Sequence, residues 1–223
     1  MDNVDAKLHA IHSKLTDFRH ESLQTELPEQ KMSVRYVQPT ATVLELGGHV
    51  GRNSCVISSI LDDSSRHVVL ESDPDVAVLL RENRDAHGFR FGIETAALSS
   101  RPMVQRGMST YSTDGLHPSD SKPIATLTWS QLQEKYPTLK FDTLVVDCEG
   151  ALYGILQDFP DFLQNVNTIL IENDFFDDNK KMWVEFVFSR NGFKRVYEER
   201  LHTDPSDCPR CIEYFYEAWQ RLD

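Results

Sequence analysis

The chain has 223 residues, 40% hydrophobic and 26% charged, with 23 Lys+Arg against 35 Asp+Glu for a formal net charge of −12. That length allows a full core without staples, and the composition is that of a globular protein rather than a disordered or fibrous one. The acidic balance speaks against broad contact with nucleic acid or an anionic membrane, which need clustered cations; with no run of about 18 apolar residues and no basic-then-apolar leader, a cytoplasmic location is expected.

Val4, Leu8, Ile11, Leu15, Phe18 and Leu23 recur at helical spacing over residues 2–27, and Pro28 is expected to end that pattern. Residues 1–38 are read as a helical extension and 39–223 as the main domain. A short apolar strand is expected over 41–46, broken by Gly47 and Gly48, and a helix over 52–61. A second strand starts at His67 and ends on Glu71. Asp73 and Pro74 then form an N-cap and first-turn pair for a helix to Ala86, which Gly88 closes.

A third strand is expected over 91–98. Residues 99–122, rich in Ser, Gly, Pro and Asp with interleaved Met103, Met108, Tyr111 and Leu116, are read as a partly ordered lid. A short helix fits 130–136. Buried strands over 141–146 and 168–171 run into Asp147 and into Glu172-Asn173, with helices over 151–159 and 180–190 after them. Strands over 193–198 and 211–219 close the chain as a hairpin-like pair. Strand and helix alternate throughout, the pattern of a mostly parallel sheet covered on both faces.

Cys55 and Cys148 sit in apolar segments and read as buried thiols. Cys208 and Cys211 form a lone CxxC. A zinc pair with His202 as third ligand, a redox pair and ordinary thiols are all open for it. Trp129, Trp183 and Trp219 read as core, and Phe175-Phe176 as either core or pocket border.

The chemistry concentrates at the strand ends. Glu45-Leu-Gly47-Gly48-His49-Val-Gly51-Arg-Asn53 is an acid followed by a glycine turn and a helix start. Glycines permit close approach of backbone to ligand. Leu46 stands where a dinucleotide fingerprint needs its first glycine, which argues against a nicotinamide oxidoreductase. An acid at Glu45 suits a cation or hydroxyls, and the turn fits S-adenosylmethionine (SAM). Glu71, ending the second strand, is placed to accept hydrogen bonds from ribose hydroxyls. Asp147 and Glu149 follow an interior strand, and Glu172, Asn173 and Asp174 the next, so carboxylates are expected to gather on one sheet rim.

Glu45-x-Gly47-x-x-x-Gly51, Glu71-Ser72-Asp73-Pro74, Asp147-Cys-Glu149-Gly150 and Glu172 together resemble the FkbM group of SAM-dependent methyltransferases over roughly residues 41–175. Asn83 matches that group's helix Asn, and Ala96-Ala97-Leu98 looks like its adenine-side segment. His49 stands where the group has Asn, and Thr128 where it has Asp. The resemblance implies a Rossmann-like class I methyltransferase fold and methylation of a hydroxyl on a sugar or other small acceptor.

Cofactor contacts are accordingly expected from Glu45, Gly47, Gly48, His49, Gly51, Asn53, Glu71, Ser72, Ala96, Ala97 and Asp147. Asp147 and Glu149 are the expected catalytic acids, with Arg106, Ser109, Tyr111, His117, Glu172 and Asn173 as acceptor contacts. Asp147, Glu172 and Asn173 also resemble the acid–acid–Asn metal set of catechol and caffeoyl-CoA type O-methyltransferases, which implies Mg²⁺. Metal-free binding of acceptor hydroxyls is the other reading. A second function class is a catalytically inactive protein that binds SAM or a nucleoside on the same fold.

Overall fold

The computed structural model describes residues 4–201 and 208–221; His202 lies outside them. In chain order, α1 (Val4–His12) and α2 (Leu27–Tyr36) precede β1 (Val43–Leu46), α3 (Arg52–Ile60), β2 (His67–Leu70), α4 (Pro74–Ala86) and β3 (Gly92–Glu94). Five short strands follow: β4 (Ala97–Leu98), β5 (Met103–Arg106), β6 (Ser109–Ser112), β7 (Lys122–Ile124) and β8 (Thr126–Leu127). The second half contains α5 (Trp129–Lys135), β9 (Thr143–Val146), α6 (Leu152–Asp158) and β10 (Thr168–Glu172). It ends with α7 (Asp178–Arg190), β11 (Phe193–Glu199), α8 (Pro209–Glu213) and β12 (Tyr216–Arg221).

The main sheet has seven strands in the order β3-β2-β1-β9-β10-β12-β11. The first five pair in parallel, while β12 runs antiparallel to both β10 and β11. The sheet is thus mixed, with one reversed strand. Its two faces follow from alternation along each strand. Leu44, Leu46, Val68, Leu144, Val146, Ile169 and Ile171 pack into one apolar cluster. The intervening Val43, Val145 and Leu170 pack into another with Met32 of α2 and Ile57 of α3.

Several elements differ from expectation. Pro28 opens a helix rather than ending one: it lies in the first turn of α2, where its missing N–H costs nothing. The expected strand over 91–98 is split into β3 and β4, and β4 pairs with β8 instead of the main sheet. The lid is more regular than its composition suggests, an antiparallel β6-β5-β7 sheet. Residues 209–213 are helical, with Pro209 in the first turn, so the last strand begins only at Tyr216. Asp73 does cap α4, accepting from the N–H groups of Asp75 and Val76.

Cys208 and Cys211 are joined as a disulfide, with Cα atoms 5.2 Å apart. Cys55 is a buried thiol as expected, whereas Cys148 is only half-buried and borders the main cavity. Trp129 and Trp219 are core residues, as is Phe175; Phe176 is exposed. Trp183 packs edge-on against Tyr153 with ring centroids 5.0 Å apart. Among the described residues no helix is long and apolar enough to cross a membrane.

Candidate active site

The parallel strands all end at one edge, where ligands bind in open α/β sheets. A cavity of about 490 Å³ opens there, bordered by the β1–α3 turn, the ends of β2 and β9, the Ala96–Ser99 stretch and the small lid sheet. Gly47 (φ +90°) lets the turn after β1 touch the loop after β9: a Cβ on it would stand 1.6 Å from the Asp147 carbonyl oxygen. In that second loop Glu149 and Gly150 take φ of +52° and +79°. A Cβ on Gly150 would meet the Asp174 carbonyl oxygen at 2.8 Å, so this glycine seats the β9 loop on the β10 loop.

The turn is closed onto Glu71. Glu71 Oε2 accepts from the His49 N–H and Oε1 from the Asp73 N–H, both at 2.8 Å. Burial raises the Glu71 carboxyl above the ordinary range, and these two bonds work the other way. Ser72 borders the same cavity, and its hydroxyl donates to Gln105 of β5 at 2.8 Å, which ties the lid to the rim. Gly47, His49, Glu71, Ser72, Ala96, Ala97, Asp147, Glu149 and Tyr111 therefore converge on one space, as expected of a binding site.

Other expected residues do not face it. Val43 and Glu45 share a face of β1, opposite His67 and Val69 of β2. Glu45 is accordingly 1% exposed, its Oε2 2.9 Å from His67 Nε2, inside the protein rather than at the rim. Gly48 and Gly51 pack against side chains of the neighbouring elements, Val69 and Leu80 for the first and Leu80 for the second. Asn53 is buried in α3, donating to Glu29 at 2.8 Å. Arg106 pairs with Asp120 at 2.9 Å on the outside of the lid. His117 is exposed and bonds only locally, to the Pro118 carbonyl. Asn173 is turned into the core, where its Nδ2 donates to the carbonyls of Tyr214 and Phe215 and to Glu217.

Asp174 takes the place expected of Asn173: single oxygens of Asp147, Glu172 and Asp174 lie within 4.8 Å of one another. A second group brings together Glu26, Glu29 and Asp147. Register explains the gathering. Glu45, Asp147 and Glu172 follow Val43, Val145 and Leu170 at two-residue spacing on three adjacent strands, so all three lie toward the face covered by α2. Glu29 of α2 meets them there.

Burial pushes Asp147 well above the usual carboxylate range, and Asp174, Glu26, Glu149 and Glu45 add to it. Glu172 is raised by burial and then by Asp147. Asp174 is pushed up to about 7 by burial, then by Glu149 and Glu26. Such carboxyls are stronger bases than free ones and invite a cation.

The sequence places Asp174 at the rim without assigning it a role, and Glu26 and Glu29 carry no signal in it, because an acid on a helix reads as solvated surface. Tyr153 of α6 was missed as a cavity residue. Thr128 needs no ligand to explain it: it caps α5 in a capping box with Gln131.

No family model matches the sequence, and neither does any curated protein. Solved structures do match. A ribosomal protein L11 methylase from Lactobacillus delbrueckii subsp. bulgaricus is 13% identical with a TM-score of 0.54, covering 92% of this chain and 81% of its own. An O-methyltransferase from Bacillus cereus in complex with S-adenosylhomocysteine is 12% identical with a TM-score of 0.52, covering 97% and 90%. TrmK of M. capricolum, also in complex with S-adenosylhomocysteine, is 9% identical with a TM-score of 0.52, covering 87% and 68%. At such identities the likeness is one of fold: this chain has the Rossmann-like fold of class I methyltransferases.

Proposed function

We propose that the protein is a SAM-dependent O-methyltransferase that methylates a hydroxyl of a small acceptor, a sugar or glycan, as its FkbM-like residues imply. The observation that carries the reading is the convergence of Glu71, the Gly47 turn and Asp147 on one cavity at the sheet's ligand-binding edge. The fold shared with two structures that contain S-adenosylhomocysteine supports the cofactor.

The residues fit SAM. Each Glu71 oxygen accepts one backbone N–H and keeps capacity for a ribose hydroxyl. Ala96 and Ala97 offer a small apolar wall for an adenine ring. When bound, SAM supplies an electrophilic methyl carbon. Asp147 then accepts the acceptor's hydroxyl proton as the oxygen–methyl bond forms and the sulfur–methyl bond breaks, the electron pair remaining on sulfur. Its raised affinity for a proton suits a general base. Glu149, Tyr111 and Tyr153 border the space left for the acceptor. Glu172 and Asp174 do not border the cavity, so proton transfer to Asp147 without a metal is favoured over Mg²⁺ held by Asp147, Glu172 and Asp174. The acids around the cavity weigh against a polyanionic acceptor such as RNA.

The test is transfer of a labelled methyl from SAM to a panel of sugars, small alcohols and an RNA control, with and without chelator. Asp147→Asn is expected to keep SAM binding and lose roughly 10²–10⁴ of the transfer rate. Glu71→Ala is expected to weaken SAM binding by about 10–100-fold, the effect of losing hydrogen bonds to a charged group. Full activity in Asp147→Asn would sink the base assignment. SAM binding without turnover of any acceptor favours the non-catalytic binding protein, and loss of turnover on chelation overturns the metal-free reading.

A further inference from the structure

We propose that the start of α2 and the glycine turn hold a hard divalent cation between them, through carboxylate oxygens of Glu26, Glu29 and Asp147 and the amide oxygen of Asn53. These residues border a second, small cavity of about 10 Å³, close to the least space that admits one water or ion. One oxygen from each of the three acids lies within 4.8 Å of the other two. Oxygens on opposite sides of a Ca²⁺ ion, at about 2.3–2.6 Å each, stand about 5 Å apart, so this is the spacing of ligands on one ion.

Asn53 is the independent observation. It is 4% exposed. Its Nδ2 donates to Glu29 Oε1 at 2.8 Å, which orients the amide and leaves Oδ1 as the acceptor. That Oδ1 is buried and has no hydrogen-bond partner. An unmatched buried acceptor calls for an explanation such as a bound water or ion, and an amide oxygen is a hard-cation donor.

The local charge agrees. Arg52 also borders the cavity, but its guanidinium is taken by Glu21 and Glu26. Glu45 also borders it, with Oε2 2.9 Å from His67 Nε2. Single oxygens of Glu29 and Asp147 lie within 4.8 Å of each other. An ion there ties the N-terminal segment to the loop that carries Asp147, and the site does not depend on whether methyl transfer occurs.

The experiment is calorimetric titration of the full-length, chelator-treated protein with Ca²⁺, Mg²⁺ and Mn²⁺, paired with thermal unfolding. One ion is expected to bind, with a Tm that rises with ion concentration. Glu29→Gln is expected to lose about tenfold or more in affinity. Asn53→Asp, which adds a charged ligand, is expected to bind more tightly, a gain that a folding defect does not produce. Glu172→Gln is expected to change the affinity far less than Glu29→Gln. The proposal is overturned by absence of heat and Tm shift with all three ions. It is equally overturned by an ion that survives Glu29→Gln and is lost in Glu172→Gln, which would assign it to the Asp147–Glu172–Asp174 group.

Discussion

Glu172 and Asp174 show how neighbours alter a residue that looks ordinary in the sequence. Both carboxyls are raised in the folded chain, Asp174 to about 7, so the native state binds protons that the unfolded chain releases. Their contribution to stability is full below the unfolded pKa values, about 4, and is lost as pH rises through the folded ones. Chelator-treated Glu172→Gln, a mimic of the protonated acid, is therefore expected to be more stable than the parent at pH 8 and nearly equal to it at pH 4. Urea unfolding at the two pH values measures this; a gap that does not change with pH would remove the titration argument. The acids at strand ends were legible because loops after parallel strands form the binding edge. Glu45 was misplaced because its identity does not reveal that the strand has one more residue to run, which turns its side chain onto a sheet face.

At the scale of elements, the reversed edge of the sheet depends on a buried polar cluster. Lys181 of α7 is fully buried, its Nζ 2.9 Å from Glu217 Oε2 of β12 and 3.1 Å from Glu185. Glu217 also accepts from Asn173, Trp219 and Arg195. Lys181→Met leaves Glu217 with Arg195 as its remaining cation and is expected to cost about 1.5–3 kcal/mol, read by urea unfolding. The double variant Lys181→Met/Glu217→Leu is expected to recover part of that loss, since a buried pair replaced by apolar groups is often neutral. Most helices and inner strands were readable from periodicity and from caps such as Asp73. Asn173 was not, because the sequence places it beside Glu172 while Tyr214, Phe215 and Glu217, more than forty residues later, supply the partners that turn it inward. The same distance hid α8: a Cys-flanked apolar run suits a strand or a short helix equally.

For the whole molecule, the N-terminal segment is part of the sheet's cover rather than an appendage. Met32 is 1% exposed and packs with Val43, Val145 and Leu170. Asn83 of α4 bonds both N–H and C=O of Arg19, so the segment before α2 is fastened to the turn region. A chain reduced to residues 39–223 is expected to lose cooperative unfolding, because one face of the sheet would be bared. Circular dichroism and a thermal melt of the shortened protein check it; a cooperative melt near the parent Tm would show that the extension is dispensable.

By itself, the sequence determined the alternation of strand and helix, the edge at which the ligand-binding loops gather, and the acidic character of that edge. These follow from local periodicity and from where acids and glycines fall after apolar runs. The tertiary structure decided which of the acids face the large cavity and which face α2, and that Glu26 and Glu29 join them. It also decided that Asp174 rather than Asn173 stands beside Asp147. The −12 charge counts these residues alike. Only strand register and the seating of α2 separate a carboxylate in water from one buried against its own kind, because those contacts join residues far apart in the chain.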